Sequence, residues 1–150
     1  MTIKKRWHAI DNQFEQAIQQ DDLPAITHLI EKAKLLRQED VRLADYFHCL
    51  LRVPCECDDL VALEKLIEAG ADINKVNVFG DEFTEPPLQI AIQEVNLALL
   101  EYLIFPRKGM KRADLEVPFI WEGQHLPQRP LMFAVECHYH AKRKALHAPP

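Results

Sequence analysis

The sequence predicts an all-α fold made by stacking one helical unit, and three observations predict it. Asp22-Leu23, Asp59-Leu60 and Asn96-Leu97 stand 37 residues apart, so one helix-start signal recurs at a fixed period. The residues that follow keep register: Ile26, Leu63 and Leu100 correspond, as do Leu29, Leu66 and Leu103, and Ile30, Ile67 and Ile104. Each set forms an apolar stripe at helical spacing. Only 4 glycines occur in 150 residues, which suits helices. Helices this short do not hold together alone in water. A period of this size therefore implies stacked neighbours sharing one core, and the length implies a single domain over 1–150.

The elements follow in order. A first helix is expected over 3–20, where Ile3, Trp7, Ile10, Phe14 and Ala17 make one face apolar. Gln13, Gln16, Gln19 and Gln20 lie off that face, towards solvent. A second helix is expected from Leu23 to Leu35 or Leu36, with Pro24 in its first turn, where a missing N–H costs little. Over 39–57, Val41, Leu43, Ala44, Phe47, Leu50 and Leu51 keep a helical period, and Pro54 predicts an end or kink near Val53. Asp58 and Asp59 are expected to cap the next helix, 60–69, which Gly70 ends in the left-handed conformation. A connection with Asn77, Gly80 and Asp81 as turn formers leads to a helix over 87–94 and its partner over 97–105, ended by Pro106. Residues 106–129 form the longest irregular stretch, and 131–147 the last helix. Two connections look like one device. Ala71-Asp72-Ile73-Asn74 matches Ala113-Asp114-Leu115-Glu116, and Gly80 and Gly123 each stand eight residues before a leucine. Both are expected to be extended β-hairpins.

Net charge of −5 gives no general pull towards nucleic acid. No apolar run reaches the roughly 20 residues of a membrane span, and the basic start lacks the apolar run of a signal peptide. Cys49, Cys55, Cys57 and Cys137 are too few and too clustered for a disulfide scaffold. A reducing, cytoplasmic setting is the expectation.

Leu66-Ile67-Glu68-Ala69-Gly70-Ala71-Asp72-Ile73-Asn74 resembles the end of an ankyrin repeat, a leucine-rich outer helix followed by Gly-Ala-Asp-x-Asn. Pro87-Leu88-Gln89-Ile90-Ala91 and Pro130-Leu131-Met132-Phe133-Ala134 resemble the family's Thr-Pro-Leu-His-x-Ala opening of the inner helix. The resemblance covers roughly Phe14 to Ala134. It implies an ankyrin-like helical-hairpin solenoid with extended β-hairpin-like connections, in repeats of approximately 3–36, 40–73 and 84–112 and a partial or capping one over 128–147. The family's His is replaced by Gln89 and Met132, its Thr is absent, and Lys32-Ala33 stands where the first Gly would be. The period of 37 exceeds the usual ~33. The array is thus a degenerate one. Tetratricopeptide-like hairpins are the rival architecture; the Gly-Ala-Asp-Ile-Asn segment argues against them.

The resemblance implies a non-catalytic protein–protein interaction module, gripping a partner with a concave face and its hairpins. The residues expected to touch it are Lys75, Val78, Phe79 and Asp81 on the first hairpin and Phe119, Trp121, Glu122 and Gln124 on the second. Aromatic side chains on projecting loops typically anchor interfaces. Arg107, Lys108, Lys111 and Arg112 form a candidate anion-binding patch. Cys55-x-Cys57 with His48 and Cys49, and Cys137-His138-Tyr139-His140, raise a metal or enzymatic alternative. Residues two apart do not share a helix face, and no nucleophile, base and orienting acid can be assigned together. The expectation is accordingly no enzyme activity, no metal, no cofactor, no nucleic acid and no membrane insertion. The protein is expected to be a monomer that binds another protein, as a signalling adaptor or as a bacterial effector delivered into a host cell. The third reading is a repeat region of a larger effector.

Overall fold

Asp22, Asp59 and Asn96 each open a helix by the same contact. The side-chain oxygen accepts the backbone N–H three residues on, at 3.1 Å from Ala25, 3.0 Å from Ala62 and 3.1 Å from Leu99. This satisfies one of the donors that a helix start leaves without a partner. The computed structural model describes residues 2–75, 77–79, 82–107 and 109–116, with Pro130, Ala134 and Lys144 beyond them; the side chains of 76–84 are outside the description. The predicted last helix and most of the second hairpin therefore lie outside the described residues.

The described chain is all-α in class, with one two-stranded ribbon. It divides into two compact units, Met1–Pro87 and Leu88–Pro150. In the first, α1 (Ile3–Gln19) packs along α2 (Leu23–Glu39). A 3-10 turn, Val41–Leu43, leads to α3 (Tyr46–Cys49) and α4 (Arg52–Glu56). Next, α5 (Leu60–Glu68) packs on α2 and α4, and β1 (Asn77–Phe79) pairs antiparallel with β2 (Glu82–Thr84), Val78 opposite Phe83. Trp7, Ile10 and Phe14 from α1, Ile26, Leu29 and Ile30 from α2, Phe47, Leu50, Leu51 and Val53, and Leu63 and Leu66 from α5 form the core. Trp7 stacks on Tyr46 with centroids 6.3 Å apart. In the second unit, α6 (Pro87–Gln93) is followed by α7 (Leu97–Ile104), and Leu88, Ile90, Ala91, Leu99 and Leu103 are buried.

The turns between paired helices repeat as closely as the caps. Asp21, Asp58 and Val95, again 37 residues apart, have φ of +53, +58 and +52°. The N–H of the next residue bonds back to the carbonyl of Ala17, Pro54 or Ala91, at 2.9 Å in all three. At the first and third turns the left-handed residue also donates, Asp21 to Ile18 at 3.1 Å and Val95 to Ile92 at 3.2 Å. These bonds close a Schellman motif without glycine, and its last residue is at once the N-cap of the following helix. Asp58 is thus the left-handed residue and Asp59 alone is the cap, which corrects the expectation that both would cap. Gly70, φ +103°, ends α5 in the same way, with Ala71 donating to Leu66 at 3.0 Å.

Three further expectations are corrected. The second helix runs to Glu39, because nothing from Lys32 to Gln38 breaks it and Glu39 ion-pairs with Arg6 of α1. The break near Pro54 falls before it, at Leu50–Leu51, and Pro54 sits in the first turn of α4. Proline has no N–H for the carbonyl four residues back and crowds it, so the ladder opens ahead of the ring. Leu50 and Leu51 bond three residues back instead, to Phe47 and His48, at 3.3 and 3.2 Å. Val41 is 83 % exposed although it fits a helical period, because Asp40 accepts the Arg42 N–H at 2.9 Å and starts a tighter 3-10 turn with different facing. Gln13, Gln16 and Gln19 of α1 and Gln20 at its C-cap are exposed. Among the described residues no helix is long and apolar enough to cross a membrane.

Candidate functional site

The ribbon β1–β2 of the first unit follows a turn over 70–75, and that turn is held by a buried histidine. His48 lies on α3, which follows Asp45, and Phe47, Leu50 and Leu51 sink into the core on either side of it. Its ring is 6 % exposed. Nδ1 accepts the backbone N–H of Asp72 at 2.8 Å. An accepting Nδ1 places the proton of the neutral ring on Nε2, where it faces Asp45 Oδ1 at 3.7 Å; Arg37 Nη2, 3.4 Å from the same nitrogen, is also a donor and acts there as a nearby charge, not as a hydrogen-bond partner. Arg37 comes from α2 and lies over the Phe47 ring, 5.0 Å from its centroid. Its other terminal nitrogen approaches the Gly70 carbonyl at 3.4 Å. Asp72 folds its own side chain into the turn, accepting the Asn74 N–H at 2.9 Å, while Lys75 N–H donates to the Asp72 carbonyl at 3.2 Å. Burial holds the His48 pKa below its ordinary value, and Arg37 pushes the same way.

Lys75 belongs to this cluster. Its Nζ stands 3.4 Å from Asp45 Oδ2. Val78 and Phe79 have their backbones in β1, with α3 packed against that strand, and their side chains lie outside the described residues. Asp81, Phe119, Trp121, Glu122 and Gln124 lie outside the described residues altogether, as does Lys108. So do His125, Cys137, His138, Tyr139, His140 and His147.

Arg107, Lys111 and Arg112 are exposed on an inserted loop. Ala113 N–H donates to the Leu103 carbonyl ten residues back at 2.9 Å, where Ala71 reaches Leu66 only five back. The loop turns at Gly109, φ +91°, with Met110 N–H bonded to the Arg107 carbonyl at 3.0 Å. Met110 Sδ lies 3.6 Å from Tyr102 Oη, which ties the loop to α7. Asp114 then repeats the turn of Asp72, accepting the Glu116 N–H at 2.9 Å. The stretch 101–116 carries three carboxylates, Glu101, Asp114 and Glu116, beside its four cations.

Among the described residues no three His, Cys, Asp or Glu side chains come together to hold a metal ion. Cys55 is buried, Cys49 is half-buried and Cys57 is exposed. Partial burial, with Glu15 and Glu56 nearby, pushes the Cys57 thiol up, away from a reactive thiolate. A second polar bridge joins α1 to α4: Arg52 reaches Asp11 at 3.3 Å and Glu56 at 2.8 Å. In the sequence His48 stands out only as a neighbour of cysteines. Its partners Arg37 and Asp72 lie 11 and 24 residues away, at no motif spacing that could have drawn them together.

Comparison with protein-family models, with curated proteins and with solved structures found no match for this chain.

Proposed function

We propose that this chain is an ankyrin-like interaction module that grips a protein partner with its extended hairpins and the helices behind them. The observation that carries the reading is the recurrence of one complete turn at 37-residue spacing: the left-handed residue, the back-bond to the carbonyl five residues earlier, and the capping side chain. Such identity of local structure is what stacked repeats need, since each unit offers its neighbour the same face. Two features support a role for the hairpins in binding. The first ribbon carries Val78, Phe79 and Phe83 within eight residues, and its base is braced by Arg37, Asp45, His48 and Lys75. A braced aromatic segment binds with less ordering cost than a loose one.

In this reading Phe79 and Trp121 are anchors, Val78 and Phe119 extend the apolar contact, and Lys75, Asp81, Glu122 and Gln124 set specificity. The test is affinity capture with the intact chain, followed by titration of the purified partner. Phe79→Ala and Trp121→Ala each weaken binding at least about tenfold, as expected of anchors worth ~1.4 kcal/mol or more. A partner bound equally well by both variants sinks the reading.

A further inference from the structure

His48 carries a property that a merely structural contact would not have. Of the described histidines, His8 and His28 are exposed, and His48 alone is buried. The neutral ring already holds its one proton on Nε2, because Nδ1 accepts from Asp72. A second proton has only Nδ1 to go to. There it would turn the acceptor that the Asp72 N–H uses into a donor, 2.8 Å from another donor.

The groups around the ring are few. From α2 comes Arg37, 3.4 Å from Nε2. From the start of α3 itself comes Asp45, 3.7 Å away. The turn supplies the Asp72 carboxylate and Lys75. The strand β1 packs on α3 and brings Asn77, Val78 and Phe79, none of which titrates. Two fixed cations therefore face two carboxylates, and burial tips the balance towards the uncharged ring.

We propose that His48 is an acid-released pin: neutral, it fastens the 70–75 turn and the β1–β2 ribbon to α3, and on protonation it lets them go. The direction follows from linkage. The ring's pKa in the pinned state lies below the 6.5 of a free histidine, so the released state takes up the proton more readily. The pin is intact above about pH 6.5 and is lost as pH falls through the pinned-state value.

The test needs no partner, so it stands even if the binding reading fails. Amide hydrogen-exchange protection of Asp72 and of residues 77–79 and 82–84 is measured by NMR from pH 7.5 to 5, with α1 amides as the internal reference. Protection of the turn and ribbon falls by up to about tenfold per pH unit below 6.5, in step with the His48 ring nitrogens, while α1 protection holds. In His48→Asn the amide oxygen takes the place of Nδ1 and cannot titrate, so protection is high and independent of pH. In His48→Ala it is low at every pH. Protection that stays constant in the wild-type protein overturns the proposal. So does an equal fall in His48→Asn, or a fall shared by α1.

Discussion

Val95 is the most informative residue to change, because its backbone and its side chain disagree. Its φ is +52°, in the left-handed region. That region costs an L-residue roughly 1–2 kcal/mol, and a β-branched one is a genuine outlier there. The side chain recovers little, since it is 73 % exposed. Full burial of a valine contributes about 1.5–3 kcal/mol, so the quarter that is covered contributes about 0.5 kcal/mol. Asparagine tolerates the left-handed region and keeps an ordinary side chain's restriction of the unfolded state. Val95→Asn is therefore expected to stabilise by about 0.5–1 kcal/mol. Val95→Gly relieves the same strain and returns part of the gain as added freedom of the unfolded chain, ~0.4–1 kcal/mol. The order Asn, Gly, Val in decreasing stability is the expected result of thermal and urea unfolding monitored by circular dichroism. A Tm rise of about 2–4 °C per kcal/mol is the scale for a chain of this size. The reciprocal change closes the argument: Asp21→Val, at the equivalent exposed position, destabilises by about 1 kcal/mol. A Val95→Asn variant less stable than wild type, or a neutral Asp21→Val, would refute the reasoning.

Two further predictions rest on single polar contacts. Asp59→Ala removes the oxygen that accepts the Ala62 N–H and costs about 1 kcal/mol, while Asp59→Asn keeps an acceptor and costs a few tenths; equal losses for the two in urea unfolding would show that the cap bond is not the cause. Asp11 has its pKa raised by burial despite Arg52, so its ionised form is dearer in the folded than in the unfolded state, and the stability it contributes is present below its ordinary value of 3.8 and lost as pH rises through the folded value. Asp11→Asn is accordingly more stable than wild type at pH 7, with the difference vanishing towards pH 3; a variant less stable at pH 7 would show that the Arg52 contact outweighs burial.

The parts of the fold legible in the sequence were those made by neighbours in the chain. Asp22, Asp59 and Asn96 cap helices through bonds three residues long, and such bonds need only the local order of residues. Gly70 ends α5 for the same reason. The break at Leu50–Leu51 was misplaced because proline acts backwards, on the carbonyl four residues before it. The left-handed turn at Val95 was hidden because valine is the last residue expected there; only its 37-residue spacing from Asp21 and Asp58 betrays it. Val41 fits a helical stripe and still faces solvent, since the side chain of Asp40 starts a tighter turn.

The candidate site divides along the same line. Lys75 and the aromatic residues of the first ribbon could be picked out from composition and position, because a long aromatic connection stands out against polar ones. The pin beneath them could not. His48, Arg37 and Asp72 come from three separate elements, and none sits at a spacing that implies the others. By itself the sequence determined the class, the 37-residue frame, the caps and the glycine stop, all of which follow from hydrogen bonds and packing within a few residues. Only the tertiary structure decided which histidine is buried, which of its nitrogens accepts, and which charges face it. Those depend on three elements closing around one ring, and burial there is what gives a proton its effect.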